Sequence, residues 1–365
     1  MVSALTPRPG ILEISPYVGG RSRLEGRDTA IKLSSNESAL GPSPHALEAY
    51  RALDQQLYRY PDGGSSVLTE AIGAAHGLDP ARIVCGAGSD ELLQLLARGY
   101  VGPGDEVLYT QHGFLVYPIA ARAVGAIPVV VPERALTADI DAILACVTAR
   151  TRIVFLANPN NPTGTYVSTV ELKRLRAGLP EGVLLVIDAA YAEFVTAADY
   201  SAGVALVDDG ENVVMTRTFS KIYGLAGLRL GWAYCPPSIA DVLHRIRGPF
   251  NVASPAQFAG VAAVRDQAHV TRARDHNSRW LDRLPDMLRQ RGLQMTPSVA
   301  NFVLVHFPDD AKRNAKAAEA FLNARGIIVR NVTNYGLPHC LRITIGLDHE
   351  MEAVADALEE LMAAP

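Results

Sequence analysis

Lys221 is the residue least like a solvated surface group in its own setting. It closes Thr216-Arg217-Thr218-Phe219-Ser220-Lys221 at the end of a Val-rich run, and the Gly-rich apolar stretch from Ile222 to Leu228 follows. Apolar surroundings lower an amine's pKa and make it nucleophilic near neutral pH. Arg229, eight residues on, carries a guanidinium fork of the shape that grips a phosphate.

Three further sites carry groups of complementary chemistry. Val186-Ile187-Asp188-Ala189-Ala190-Tyr191 ends an apolar run in a carboxylate. A charge there is costly unless donors or a cation meet it, so Asp188 reads either as a helix N-cap or as the partner of a buried cationic ring. Ala157-Asn158-Pro159-Asn160-Asn161-Pro162-Thr163-Gly164 holds two Asn-Pro steps. Such a turn is rigid, either as a structural loop or as a mount for an amide at the carboxyl edge of a sheet; a cis Asn161–Pro162 bond is expected. Gly86-Ala87-Gly88-Ser89-Asp90-Glu91 opens a helix after a strand and offers free N–H groups and a helix dipole to an anion. The dinucleotide fingerprint would place a third glycine where Glu91 stands. Each segment alone is ambiguous. Together they give an amine, a carboxylate for a pyridinium nitrogen, donors for a ring hydroxyl and a phosphate site, which is the set that pyridoxal 5'-phosphate (PLP) requires of a protein.

These residues need rigid strand ends to hold them. Short apolar runs (82–85, 105–109, 127–131, 152–156, 183–187, 212–216 and 230–234) alternate with helical patterns at 89–98, 140–147 and 170–175. Continuous Val/Ile/Leu runs indicate strands covered on both faces, hence an α/β domain around a mainly parallel sheet. From about residue 255 the pattern changes to one long helix, 255–291, then strands at 303–305, 327–329 and 341–345 and a last helix at 350–362, which indicate a smaller α+β domain. The expected division is an N-terminal arm over 1–45 packing on the small domain, a large cofactor-binding domain over 46–250 and a small domain over 251–365.

Composition narrows the function classes. With 365 residues, 48% hydrophobic and 20% charged, the chain has enough apolar material for two domains. A net charge of -4 without basic runs argues against nucleic acid as a partner. The N-terminus lacks the pattern of a secretory signal, and no apolar run is long enough to span a bilayer, so a cytoplasmic enzyme without a membrane partner is expected. Cys85, Cys146, Cys235 and Cys340 read as reduced thiols, and the nine histidines show no ligand spacing, so no metal is expected.

The Asn-Pro-Thr-Gly, Asp-x-x-Tyr and Thr-Phe-Ser-Lys…Gly-Leu-Arg segments stand in the order and spacing of a known family. The chain resembles the fold-type I PLP-dependent aminotransferases of class I/II from Pro16-Tyr17 to the terminal helix. The resemblance implies that Lys221 forms the Schiff base and then moves a proton, and that Asp188 keeps the pyridine nitrogen protonated. Asn161 and Tyr191 would bond the ring oxygen, with Phe114 stacked on the ring. Ser89 and Asp90 (through backbone N–H), Thr218, Ser220 and Arg229 would hold the phosphate. Tyr60, in Arg59-Tyr60-Pro61-Asp62-Gly63, would reach the phosphate of a neighbouring subunit, which implies a homodimer with shared sites. Tyr17, Arg330 and Arg342 would contact the substrate.

The narrower resemblance within that family implies histidinol phosphate as amino donor and 2-oxoglutarate as acceptor, within histidine biosynthesis. The alternatives are an aromatic amino-acid aminotransferase, a PLP decarboxylase of similar fold such as threonine-phosphate decarboxylase, and a non-catalytic PLP-binding regulator. One departure stands in the arm, where Ser34-Ser35-Asn36-Glu37-Ser38-Ala39 replaces the family's Asn-Glu-Asn-Pro.

Overall fold

A computed structural model describes residues 5–27, 29–53 and 57–363. Its centre is a sheet whose spatial order is Ile83–Gly86, Gly231–Tyr234, Val213–Thr218, Leu184–Asp188, Thr151–Ala157, Glu106–Thr110 and Ile127–Val131. Neighbouring strands from Val213–Thr218 through Ile127–Val131 pair in parallel. Gly231–Tyr234 runs antiparallel to both of its neighbours. The sheet is therefore mainly parallel, as its apolar runs imply. Leu184, Leu185, Val186 and Ile187 are buried and divide between the cores on the two faces of the sheet. Helices cover both faces, and some of them begin where a side chain supplies a cap. Ser168 Oγ accepts from Glu171 N to start Thr169–Gly178, and Asp139 accepts from Asp141 N and Ala142 N to start Ile140–Ala145.

The parallel strands end together, and so do the loops that carry the chemistry. Asp188 closes one strand, Thr218 closes the next and leads to Lys221, and Ala157 leads into the Asn-Pro turn. In that turn both Asn158–Pro159 and Asn161–Pro162 are cis.

The second sheet is antiparallel, in the order Gln294–Thr296, Phe302–His306, Cys340–Thr344, Arg330–Asn331. Alternation along it separates two roles. Val303, Val305, Leu341 and Ile343 enter a core with Trp280, Leu284 and Leu358. Residues of the other parity, Arg330 and Arg342 among them, form the opposite face, and these two arginines are directly opposed in the register.

Three expectations change. The helix over 255–291 is two helices, Ser254–Arg265 and Gln267–Arg289. Asp266 lies between them, and its side chain caps the second by accepting from His269 N at 3.0 Å. Ala256, Ala259 and Ala263 lie in the core of the large sheet, as do Val270 and Ala273, whereas Trp280, Leu284 and Leu288 lie in the small one. The change from one core to the other thus falls along Gln267–Arg289 rather than at residue 250. The arm also touches both parts. Ile31–Lys32 pairs in parallel with Ile327–Ile328 of the small part, while Arg8 Nη2 donates to Ala123 O on a helix of the large part at 2.5 Å. An arm on the small domain alone is too narrow a description.

Candidate active site

A cavity of about 300 Å³ opens at the carboxyl ends of the parallel strands, between the large sheet, the arginine face of the small sheet and the arm. Every expected site residue except Tyr60 lines it. Tyr60 is 82% exposed and stacks on Phe250 with ring centroids 4.6 Å apart, away from the cavity of its own chain.

Lys221 sits at the centre. Its Nζ donates to Ser35 O of the arm at 3.1 Å, and the Tyr191 ring centroid lies 5.8 Å away. Desolvation, helped by the nearby Arg342 charge, brings its pKa down to about 8. An amine in that range is neutral for a useful fraction of the time at physiological pH.

Asp188 is only 5% exposed. Burial pushes its carboxyl up to about 6, against the opposing pull of hydrogen bonds from Tyr117 and Thr216. Tyr117 Oη donates to Oδ2 at 2.8 Å and Thr216 Oγ1 donates to Oδ1 at 3.2 Å. Asp188 does not cap a helix, since the turn Ala192–Phe194 that follows begins at Tyr191 without a side-chain cap. At the sheet end its side-chain donors, Tyr117 and Thr216, are neutral, and it has no ion-pair partner among the described residues.

The third group is the anion corner. Ser89–Tyr100 starts after Gly88, which has φ 87° and no side-chain cap. The first N–H groups of a helix are unpaired within it and point outward from its positive end. A Cβ on Gly88 would stand 2.6 Å from Arg229 Nη2, so only glycine leaves the guanidinium its place. Arg229 Nη1 donates to Ser220 Oγ at 3.4 Å. Its Nη2 donates to Asp90 Oδ2 at 3.1 Å, so the Asp90 carboxylate also orients the guanidinium, a contact beyond the expected backbone N–H.

At the opposite end, Arg342 donates through Nη1 to Asn161 Oδ1 and through Nη2 to Ser34 O, while its buried Nε has no partner among the described residues. Arg330 Nη2 donates to Val18 O at 2.7 Å. Tyr17 meets Phe114 edge-on at 6.1 Å. Asn161 is thus held by its oxygen, which leaves its NH2 as the donor, and Tyr191 Oη accepts from Asn36 Nδ2 at 3.0 Å.

Three contributors had no sequence signal of their own. Tyr117 and Thr216 hold Asp188, and Asn36 of the atypical arm segment holds Tyr191. Tyr117 lies in the first turn of the helix Val116–Ala123 and its N–H donates to O of Phe114, just before that helix, at 3.0 Å; all three are brought to their partners by tertiary packing.

The residues fit PLP on their own evidence. A partly neutral amine, a buried carboxylate with no cation, a free helix N-terminus beside an arginine and an aromatic ring line one cavity. Comparison with known proteins agrees with this. The sequence matches the family "Aminotransferase class I and II" over residues 28–358. The chain belongs to that family. It is 59% identical over 363 residues to the histidinol-phosphate aminotransferase of Paramagnetospirillum magneticum, covering 100% of both chains. It is 60% identical over 357 residues to that of Rhodospirillum centenum, covering 98% of both. The crystal structure of histidinol-phosphate aminotransferase from Sinorhizobium meliloti in complex with pyridoxal-5'-phosphate superimposes with a TM-score of 0.90 at 31% identity, covering 99% of both chains. In this aminotransferase, then, the fold and the family are those its motifs imply.

Proposed function

We propose that this aminotransferase uses PLP to transfer the amino group of histidinol phosphate to 2-oxoglutarate, giving imidazole acetol phosphate and L-glutamate in histidine biosynthesis. The observation that carries the substrate is the opposed pair Arg330 and Arg342, 8% and 5% exposed, on the wall of the Lys221 cavity away from Arg229. One arginine suffices for a carboxylate, whereas two forks suit a group bearing nearly two negative charges. The relatives at 59% and 60% identity named above point the same way.

Bound in the cavity, PLP supplies an aldehyde that links to amines and a protonated ring that draws electrons from the substrate. The chain's own groups do the rest. Lys221 Nζ would hold the cofactor covalently and, once released, would take up and return the proton of the substrate carbon. Asp188, ionised and held by Tyr117 and Thr216, keeps a proton on the ring nitrogen. Asn161 Nδ2 and Tyr191 Oη would meet the ring oxygen, Phe114 would pack against the ring, and Ser89, Asp90, Thr218, Ser220 and Arg229 would hold the phosphate. Tyr17 closes over Phe114 on the substrate side.

The proposal includes a homodimer in the cytoplasm, with Tyr60 serving the neighbouring site. Its support is the apolar surface around Tyr60, where Leu57, Tyr58, Val67, Phe250 and Phe258 are all exposed. Unpaired Cys85, Cys146, Cys235 and Cys340 fit a reducing compartment. We also propose a division into arm, large and small parts, with the last boundary inside Gln267–Arg289.

The test is a half-reaction panel on purified holoenzyme, following the cofactor absorbance with each amino donor. Histidinol phosphate and L-glutamate should both convert the cofactor to its amine form. Conversion by aromatic amino acids but not by histidinol phosphate would replace this reading with an aromatic aminotransferase, and release of carbon dioxide would replace it with a decarboxylase.

A further inference from the structure

Tyr335 belongs to the turn Thr333–Tyr335 that follows Arg330–Asn331 in the small part. Its ring packs in a small cluster with Leu304, Val332, Leu337 and Cys340, and it is 4% exposed. Leu304 is the register partner of Arg342, and Cys340 and Arg342 share a face of their strand. The ring therefore lies on the arginine face of the sheet. Its hydroxyl stands within electrostatic reach of Tyr17, Arg342 and Arg330. Among the described residues that hydroxyl makes no hydrogen bond, and its oxygen is not one of the enclosed, unpartnered polar atoms, so it keeps a small opening to solvent although the ring is buried.

We infer that the Tyr335 hydroxyl is a third donor to the substrate's phosphate, completing with Arg330 and Arg342 a site that favours a phosphate over a carboxylate. This rests on the functional reading above and names the residue that would give it selectivity. Each arginine is already spent in part. Both Nη groups of Arg342 are engaged within the chain, as is Nη2 of Arg330. The Arg342 Nε is enclosed as well as unpartnered, so the donor hydrogens left on the two forks would be enough for the two oxygens of a carboxylate. A phosphate monoester presents three terminal oxygens and leaves one to be met by another donor.

The turn is also held in place for that role. His112 Nδ1 lies 2.6 Å from Tyr335 O, a contact in which the imidazole is the donor, and it joins the turn to the loop that carries Phe114. His112 is itself fixed, since its N–H donates to Glu133 Oε1 at 3.1 Å and its C=O accepts from Asn160 Nδ2 at 3.4 Å. Gly336, with φ 78°, lets the chain reverse directly after Tyr335. Burial pushes the Tyr335 hydroxyl up to about 12 despite the two arginines, so at neutral pH it keeps the proton it would donate.

Tyr335→Phe removes the oxygen and keeps the ring on Leu304 and Cys340, so it tests the hydroxyl alone. In holoenzyme saturated with PLP, the preference for histidinol phosphate over histidinol, as a ratio of kcat/KM, should fall by roughly ten- to a hundredfold, the range of a hydrogen bond to a charged group. The loss on L-glutamate should be smaller by about tenfold. Inorganic phosphate, used as a competitive inhibitor against L-glutamate, should bind more weakly by a comparable factor. An unchanged preference for the phosphorylated donor, or equal losses on all donors, would overturn the inference. Should the wild-type enzyme not accept histidinol phosphate, the functional reading fails by itself, and the phosphate inhibition still decides about Tyr335: an unchanged inhibition constant overturns it.

Discussion

Tyr117 Oη donates to Asp188 Oδ2 at 2.8 Å, from a ring that lies parallel to Phe155 with centroids 4.8 Å apart. Burial alone would keep the Asp188 carboxyl protonated to higher pH, and this bond works against that. Tyr117→Phe keeps the stacking and removes the donor. The expected result is a kcat at pH 7 lower by about tenfold, of the size of one hydrogen bond to a charged group, with the acid limb of the kcat profile moved to higher pH. A pH profile measured over 5–9 checks it, and an unmoved acid limb would mean that the bond only packs Tyr117.

Asp188 also links cofactor-free stability to pH. Its folded pKa of about 6 lies above the ordinary 3.8, so the folded state binds this proton more tightly than the unfolded state. The contribution of Asp188 is therefore neutral below about pH 4, becomes unfavourable between about 4 and 6, and stays so above. Asp188→Asn should raise the stability of the cofactor-free protein at pH 7 by on the order of 1–3 kcal/mol and leave it nearly unchanged at pH 4. The same variant should lose kcat by orders of magnitude while still binding PLP, because an amide does not keep a ring nitrogen protonated. Denaturant titrations at the two pH values, with turnover measured alongside, would separate these effects; a variant with full kcat would reduce Asp188 to a structural role.

Lys221→Ala should abolish the yellow colour of the covalently bound cofactor and nearly all turnover. In the wild-type protein, the depressed pKa of about 8 sets how fast apoprotein captures PLP. The neutral amine reacts, so capture should speed up by about tenfold per pH unit below 8 and level off above it. Stopped-flow absorbance measures this. A rate that keeps climbing to pH 10 would show an amine whose pKa is not lowered.

Lys221, Asp188, Asn161 and Arg229 were legible because each sits in a short segment whose local chemistry is unusual: an amine after an apolar run, a carboxylate at its end, an amide between prolines. Ser35 and Asn36 were not legible in the same way, because they reach Lys221 and Tyr191 across 186 and 155 positions and no periodicity announces such contacts. Tyr117 Oη reaches Asp188 across 71 positions for the same reason. In the fold, the apolar alternation located the strands but not the direction of Gly231–Tyr234, since an apolar run reads alike either way and the return through the turn Ala226–Leu228 decides it. The helix break at Asp266 was hidden because the apolar spacing continues across it, and only the cap from Asp266 to His269 N marks the restart.

The exposed position of Tyr60 leads to a complementation test. If it serves the neighbour's phosphate, a dimer mixed from Tyr60→Phe and Lys221→Ala subunits carries both lesions in one site and none in the other. Activity should then reappear on mixing two impaired preparations, toward a quarter of the wild-type value for random exchange at equal amounts. Subunit exchange is verified by native mass spectrometry with one variant carrying a tag. Exchange without any recovery would mean that Tyr60 does not act across the interface. The experiment uses Tyr60→Phe only if that variant is itself well below wild type; Tyr60→Ala serves otherwise.

Arg330 and Arg342 stand opposite each other on neighbouring antiparallel strands, both buried, so their charges repel unless an anion lies between them. Arg342 has its fork tied to Asn161 and Ser34, which makes it the fixed member. Arg330 is bound through Nη2 to Val18 O of the arm, and it holds the arm over the site as well as facing the substrate. Lysine at 330 keeps the charge but gives up the planar pair of donors. Arg330→Lys should therefore damage histidinol phosphate turnover more than glutamate turnover, by about ten- to a hundredfold in kcat/KM, the range expected for one hydrogen-bonded charge contact. Equal losses for both donors would point to a carboxylate site shared by the two, and would move the preferred donor toward aromatic amino acids. A loss confined to KM, with kcat kept, would show that Arg330 binds ground state and transition state alike; a fall in kcat as well would show that the arm it anchors is needed to exclude water during proton movement at Lys221.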